Sequence, residues 1–360
     1  MNSPLLYQWM DELAKRFPEL GRWQVLGLAL FSYGVVFAQS CTLSRVALHL
    51  SAGRNPLSME RRLQRWLANA HLGLEGLLAC WVGWVLERWG QAPLLLVVDE
   101  TKLSDHVAVM VVSAAYQGSA IPLLWRAYRS NDYPPEGQVG LLTEMLGRLR
   151  ALVPPQTEAL LLADRGLGTS PRWQQTLMAQ GWDYLLRVQR STLVRLSDGK
   201  TQPLGRLVGY GQQWFGRGQV FKKAGWRWQS VDVIWASGYD QPWCLVSNRH
   251  DRSPAVYAWR FRQEASFRDL KSDGFDWRRS RVWPPANVEG LLLVLALAMF
   301  WTLAMGTQVW HLYPLTNRQQ RLSVFRLGLD ALFARLRSVK AECLELFLRP
   351  DTPCLKSVVP

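Results

Sequence analysis

The sequence predicts an α/β fold: a mixed sheet flanked by helices, interrupted by an antiparallel β insertion, with a helical N-terminal region. Three observations carry this. Two continuous apolar runs, Leu94–Val98 and Ala159–Ala163, have strand length and need cover on both faces, as strands in the middle of a mixed sheet have. Helix-period patterns precede, separate and follow them. Between 190 and 252 the texture changes to short alternating runs broken by Gly, the pattern of antiparallel strands. The chain has 360 residues, 49% of them hydrophobic and 19% charged, which excludes wholesale disorder and suggests two or three domains.

Residues 1–90 read as helix throughout, with Leu, Ala, Trp and Arg at helical spacing. Within them Leu43–Leu50 is one short helix, Ser51 to Pro56 is a break, and Leu57–Ala70 is a second helix carrying Arg61, Arg62 and Arg65. Two short helices around a tight turn, the second basic, resemble a helix-turn-helix. An ordinary helical hairpin with a solvated charged face fits these residues equally well and is the simpler reading of them alone. The run Leu94–Val98 ends in Asp99. Val107–Tyr116 and Ile121–Tyr128 form a hairpin around the Gly-containing break 117–120. Gly140–Leu152 is helix, closed by Pro154-Pro155, and the buried strand Ala159–Ala163 ends in Asp164. Ser170-Pro171 supplies an N-cap and a first-position Pro for a helix that runs to Gln180 and stops at Gly181. Asp183–Gln189 is a strand, and 190–252 is the β insertion. Helix resumes at Ser253-Pro254 and runs to about Ser272. An apolar helix follows from Asn287 to Val309, then a basic helical stretch from 311 to 340. This gives four regions: 1–90 helical, a core of 91–189 and 253–310, the insertion 190–252, and a C-terminal helical tail 311–360.

Lys and Arg number 42 against 28 Asp and Glu, a net charge of +14 that points to a polyanionic partner. The stretch 172–252 is itself strongly basic, with 12 Lys and Arg against 5 Asp and Glu, so much of the surplus lies in and just before the insertion. Cys41, Cys80, Cys244, Cys343 and Cys354 are odd in number and form no Cys-x-x-Cys pair, which argues against a disulfide framework or zinc ribbon and fits a reducing, cytoplasmic setting. His49, His71, His106, His250 and His311 are too scattered for a His-based zinc site. The first residues carry early acids and no apolar core, so no secretory signal is expected. Gly290–Trp310 is uncharged, but its densest part is short of the ~20 residues that span a bilayer and lacks flanking basic clusters. A buried core helix is the expectation there, and a membrane is not an expected partner.

Asp99 and Asp164 terminate the two buried strands. Strand ends at the open edge of an α/β sheet are where ligand-binding groups collect. If the strands are neighbours, the two carboxylates lie side by side, as a hard divalent cation needs. Each Asp taken alone is more simply a cap of the turn that follows it. A third carboxylate is available on the helix after the insertion. Tyr257 and Arg260 are spaced i, i+3, Arg260 and Glu264 i, i+4, and Lys271 follows Glu264 by two turns, so a uniform helix projects all four from one face. On spacing alone this is also a solvated amphipathic helix with one ion pair.

The spacing Tyr-x2-Arg-x3-Glu-x6-Lys at Tyr257, Arg260, Glu264 and Lys271 resembles the Y-R-E-K signature of a large subgroup of bacterial insertion-sequence DDE transposases. VVDET at Asp99 and LLADRG at Asp164 resemble that group's first and second acidic motifs, and the β insertion before the Glu is similar too. The resemblance implies an RNase H-like core in which Asp99, Asp164 and Glu264 hold two Mg²⁺ or Mn²⁺ ions. It implies nicking of double-stranded DNA at transposon ends and strand transfer into target DNA, with no covalent protein–DNA intermediate, by a homodimer in the DNA-bound synaptic complex. It places Tyr257 and Arg260 at phosphates near the cleaved end, Lys271 in support of the DNA, and Trp243 of the insertion as a platform for a flipped base. Arg61, Arg62 and Arg65 then become candidate DNA readers, and the protein is expected at the bacterial nucleoid. Two other readings use the same residues: a metal-dependent RNase H-like nuclease without strand transfer, and a non-catalytic DNA-binding regulator.

Overall fold

The computed structural model describes residues 4–51, 54–130, 132–337 and 346–351. Ala52 and Gly53 of the predicted break, Cys343, Cys354 and most of the predicted tail beyond 337 lie outside the described residues. In chain order, five helices come first: α1 (Pro4–Arg16), α2 (Arg22–Ala38), α3 (Leu43–Ser51), α4 (Pro56–Leu67) and α5 (Leu74–Trp89). Then follow β1 (Leu94–Lys102), β2 (Val107–Tyr116), β3 (Ser119–Arg129), α6 (Gly137–Leu152), β4 (Ala159–Ala163), α7 (Arg165–Gly168), α8 (Pro171–Ala179) and β5 (Asp183–Val188). The insertion holds β6 (Leu193–Arg195), β7 (Thr201–Pro203), β8 (Gln213–Val220), β9 (Arg227–Ile234) and β10 (Trp243–Ser247). The chain continues through α9 (Phe261–Arg268), α10 (Pro285–Leu312) and α11 (Val324–Arg337). The strands form one mixed sheet in the order β3-β2-β1-β4-β5-β10-β9-β8-β6-β7. This α/β architecture, a large mixed sheet flanked by helices with a helical N-terminal region, is consistent with an RNase H-like fold.

The chain divides into two compact units. The first comprises Met1–Gln91, Glu100–Pro134 and Arg262–Asp351. Its centre is α10, apolar on every side and buried throughout its most hydrophobic stretch by α2, α4, α5, α11 and β3. Length and composition alone would let α10 cross a membrane; here that stretch is wrapped by protein. Trp301 of α10 stacks on Trp9 at 4.8 Å, and Trp9 donates its indole N–H to Ser32. Helices α10 and α11 touch backbone to backbone. A Cβ on Gly306 would lie 1.9 Å from the Val324 carbonyl oxygen, and one on Gly328 would lie 1.8 Å from that of Thr302. The hairpin β2–β3 closes on two residues, Gln117 and Gly118, with φ of 43° and 78°, the left-handed pair of a type I′ turn. The loop is thus shorter than the predicted break.

The second unit comprises Ala92–Asp99 and Pro135–Phe261 among the described residues. Here β1, β4 and β5 run parallel, with Leu94–Val98 opposite Ala159–Ala163. The insertion does not stand apart from this sheet. Strand β10 pairs antiparallel with β5, Cys244 opposite Val188, so the inserted strands extend the sheet edge. Three other boundaries differ from expectation. The predicted helix Leu57–Ala70 ends at Leu67, and Asn69 caps a separate 3-10 turn by accepting from His71 N–H. The predicted helix from 253 to 272 is three segments: a 3-10 turn Pro254–Arg260 in which the Ser253 side chain makes no capping bond, then α9, then a π-helical turn Asp269–Asp273. The basic stretch from 311 is also broken, because residues 313–323 around Pro314 leave the helix before α11 begins.

Candidate active site

The parallel register brings the two aspartates together. Val98 of β1 lies opposite Ala163 of β4, and the next position on each strand is Asp99 and Asp164. Five buried apolar residues precede each of them, so these carboxylates mark the first step at which either strand reaches solvent; both are half-buried. Asp99 does not end its strand, because β1 runs on to Lys102. Asp164 does end β4. Its Oδ1 accepts from the backbone N–H of Gly166 at 2.9 Å and of Leu167 at 3.3 Å, capping α7. The capping role open to Asp164 from its sequence is thus realised, and the cap fixes the carboxylate's orientation. Gly168 is needed for this turn, since a Cβ there would meet the Arg187 carbonyl oxygen of β5 at 2.1 Å.

Arg260 answers Asp99 directly. Its Nη1 donates to Asp99 Oδ2 at 3.3 Å, with side chains only 11% and 23% exposed. Its guanidinium also lies over the Phe261 ring, 5.0 Å from the centroid. Tyr257, expected at a phosphate, is 1% exposed. Burial pushes its phenol well above the ordinary tyrosine range; Arg260 and Arg187 oppose that, and Asp164 and Asp99 add to it. The phenol thus sits among the two acids and two guanidinium groups. Trp243, the first residue of β10, packs edge-on against Tyr257 at 5.1 Å and tilts against Phe261 at 6.1 Å. Trp243 is half-buried and Phe261 is exposed, so the cluster presents an aromatic surface beside the acids.

The other signature residues belong to the first unit. Glu264 is exposed in the first turn of α9. Lys271 lies in the π-helical turn, donates to the Lys102 carbonyl at 2.9 Å and stands over Phe267. Because the segment changes helix type twice, the four signature residues do not share one α-helical stripe: Tyr257 is buried and Glu264 exposed. Among the described residues, no three His, Cys, Asp or Glu side chains are gathered closely enough to hold a metal ion. The donor chemistry of Asp99 and Asp164, paired carboxylates, suits a hard divalent cation.

On α4 the buried face is Leu63, Trp66 and Leu67, while Arg61 and Arg65 are exposed and Arg62 half-buried. Asn55 caps α4 by accepting from Ser58 N–H. Open grooves of about 680 Å³ and 590 Å³ flank it, the first lined by Arg61, Gln64 and Arg65, the second by Arg54, Arg62 and Arg65. Two features lie beyond the sequence reading. Glu100, next to Asp99, accepts from the hydroxyls of Tyr128 at 2.7 Å and Tyr133 at 2.8 Å. Arg187 of β5 acts on Tyr257. The VVDET motif contained Glu100, but its two partners have no local signal.

Comparison with curated proteins finds no match. A family model does match, the transposase DDE domain, over residues 137–301. That span takes in Asp164, Tyr257, Arg260, Glu264 and Lys271 and begins after Asp99. With two aspartates in register on neighbouring parallel strands, the match over 137–301 supports a transposase of the DDE class.

Proposed function

We propose that this protein is a DNA transposase of the Y-R-E-K subgroup from a bacterial insertion sequence. In this reading it binds transposon ends, nicks them and joins the freed 3′-OH to target DNA. The observation that carries the reading is the register of β1 and β4, which sets Asp99 beside Asp164 at the solvent edge of buried strands. Asp99, Asp164 and Glu264 are the carboxylates that would hold two Mg²⁺ or Mn²⁺ ions, whose chemistry when bound would be activation of water and neutralisation of charge on the scissile phosphate.

The chain's own residues do the rest. The α7 cap holds Asp164 in one orientation. Arg260 pairs with Asp99 until DNA arrives and then turns to phosphate, for which its planar fork is suited. Tyr257 acts from beneath, as a buried support for Trp243 and Arg260, and Trp243 offers its ring to a flipped base. Lys271 supports the DNA backbone. Attack by water breaks the P–O3′ bond and leaves a 3′-OH. In strand transfer that hydroxyl gives up its proton and attacks a target phosphodiester in line, forming a new P–O3′ bond as the target's own P–O3′ bond breaks and its 3′ oxygen leaves as a 3′-OH. Arg61, Arg62 and Arg65 on α4 read the ends. The active assembly is a homodimer on paired ends, working on the nucleoid in the cytoplasm.

Asp99→Asn, Asp164→Asn and Glu264→Gln test this reading. Each should fold, bind end DNA in gel shifts and fail to nick it with Mg²⁺ or Mn²⁺. Nicking without joined product from a donor with correct ends would favour a nuclease instead. Unchanged nicking by any one variant would remove that residue from the triad.

A further inference from the structure

The β8–β9 hairpin of the insertion carries an exposed aromatic and cationic face that the active site does not use. In the antiparallel ladder Phe215 lies opposite Asp232, Arg217 opposite Ser230, and Gln219 opposite Trp228. Directly paired residues share a face, and so do residues two apart on a strand. Phe215, Arg217, Gln219 and Trp228 therefore stand together on one side. The base of that face is covered where Asp232 makes a buried ion pair with Arg252. Its outer part is open: Phe215 and Trp228 are each 50% exposed, and Arg217 is exposed between them with its guanidinium 5.9 Å from the Trp228 ring centroid. At the hairpin tip Lys222 and Lys223 are exposed, and Arg195 lies 4.3 Å over Trp226. Trp226 is held at φ 52° and Phe221 at φ 63°, a left-handed geometry costly for bulky residues, so the tip is a fixed shape.

Large exposed aromatics on a sheet edge are a liability unless something covers them. Strand β6 pairs with β8 only at Val220 and Gln219, so from Gln213 to Gly218 the ladders of β8 run to β9 alone. Every cation of this surface favours a polyanion, and its rings favour a flat, apolar ligand face. Unpaired nucleotides have both. Bases of a duplex are already stacked about 3.4 Å apart, whereas side chains two apart on a strand are spaced about 6.6–6.8 Å, which leaves room for an unstacked base beside each ring.

We infer that the open face of the β8–β9 hairpin, formed by Phe215, Arg217 and Trp228 with Lys222 and Lys223 at its tip, binds unpaired DNA. This rests on the transposase reading for the source of such strands, which excision and strand transfer release next to the catalytic acids. The ligand class is single-stranded DNA bound by backbone charge and base stacking, without sequence readout.

The test uses the full chain and two labelled probes, an oligothymidylate of about twenty nucleotides and a random-sequence duplex of the same length, followed by fluorescence anisotropy. Trp228→Ala should weaken single-strand binding roughly tenfold and duplex binding less than threefold, and Trp228→Phe should restore most of the loss. Arg217→Ala should weaken the single strand and also flatten its salt dependence. Equal losses on both probes would overturn the inference, as would failure of the wild-type chain to bind the single strand. A change of oligomeric state in Trp228→Ala, read by sedimentation, would also overturn it, because the face would then be a contact between copies. None of these variants touches the acids, so nicking of end DNA by the wild-type chain judges the transposase reading separately.

Discussion

Arg260→Ala should make the protein bind Mn²⁺ more tightly in the absence of DNA while cutting DNA less well. At 3.3 Å the attraction between Arg260 and Asp99 is about 5 kcal/mol for an effective dielectric near 20. Desolvation offsets much of this, because the guanidinium is only 11% exposed; a charged hydrogen bond of this kind nets about 1.5–3 kcal/mol. A divalent cation that takes Asp99 must break that bond or sit beside a like charge. Removing the guanidinium should return roughly 1.5 kcal/mol to the metal, about a tenfold gain in affinity. In the wild-type chain, end DNA should produce a similar gain by drawing Arg260 onto phosphate, and the variant should lack that enhancement. Titration calorimetry or the paramagnetic signal of free Mn²⁺, with and without end DNA, reads both quantities. Affinity in Arg260→Ala no better than wild type without DNA, in a variant with unchanged circular dichroism, would refute the argument that Arg260 occupies the metal's place.

Gly328→Ala should lower stability by about 1–3 kcal/mol or more in denaturant melts, because its new methyl meets the Thr302 backbone and α11 must move away from α10; a loss under about 0.5 kcal/mol would mean that this crossing yields easily. Burial pushes Asp269 up to about 6, against the hydrogen bond from Ser119, so the folded state holds its proton more tightly than the unfolded chain. Its contribution to stability is then fully present below about pH 4 and lost as pH rises through about 6. Asp269→Asn should abolish that slope, raising the denaturant midpoint relative to wild type at pH 7 but not at pH 4. Replacing Arg61, Arg62 and Arg65 together by Ala should weaken end binding and reduce the salt slope by about 2–3, with nicking of a saturating substrate retained.

The central strands were legible because LLLVV and ALLLA are apolar runs of strand length bounded at once by Asp, too short for a buried helix such as α10. The continuation of β1 through Asp99 to Lys102 was not, since polar residues stay in a ladder only when a neighbouring strand holds them. The helix carrying Tyr257 to Lys271 was legible as helix but not in its pitch. Its last turn is shaped by distant groups: Asp269 is held by Ser119, and Gly274 packs where a Cβ would lie 2.5 Å from the Phe325 ring. No local pattern records such contacts. Spacing arithmetic at 3.6 residues per turn therefore gave these four residues a common face that the two changes of pitch remove. The pairing of Arg260 with Asp99 joins positions 161 apart, beyond any periodicity.

The central place of α10 has a consequence for the order in which the chain can fold. Helix α2 has almost no polar side and needs α10 and α11 to cover it. Synthesis delivers α2 by residue 38 and completes α10 only at 312. At about 5–20 residues per second, α2 waits roughly 14–55 s for its partner. During that interval the N-terminal helices cannot finish their core, whatever their local propensity. A messenger truncated before α10 would yield a chain whose first helices stay adhesive, a substrate for chaperones and proteases.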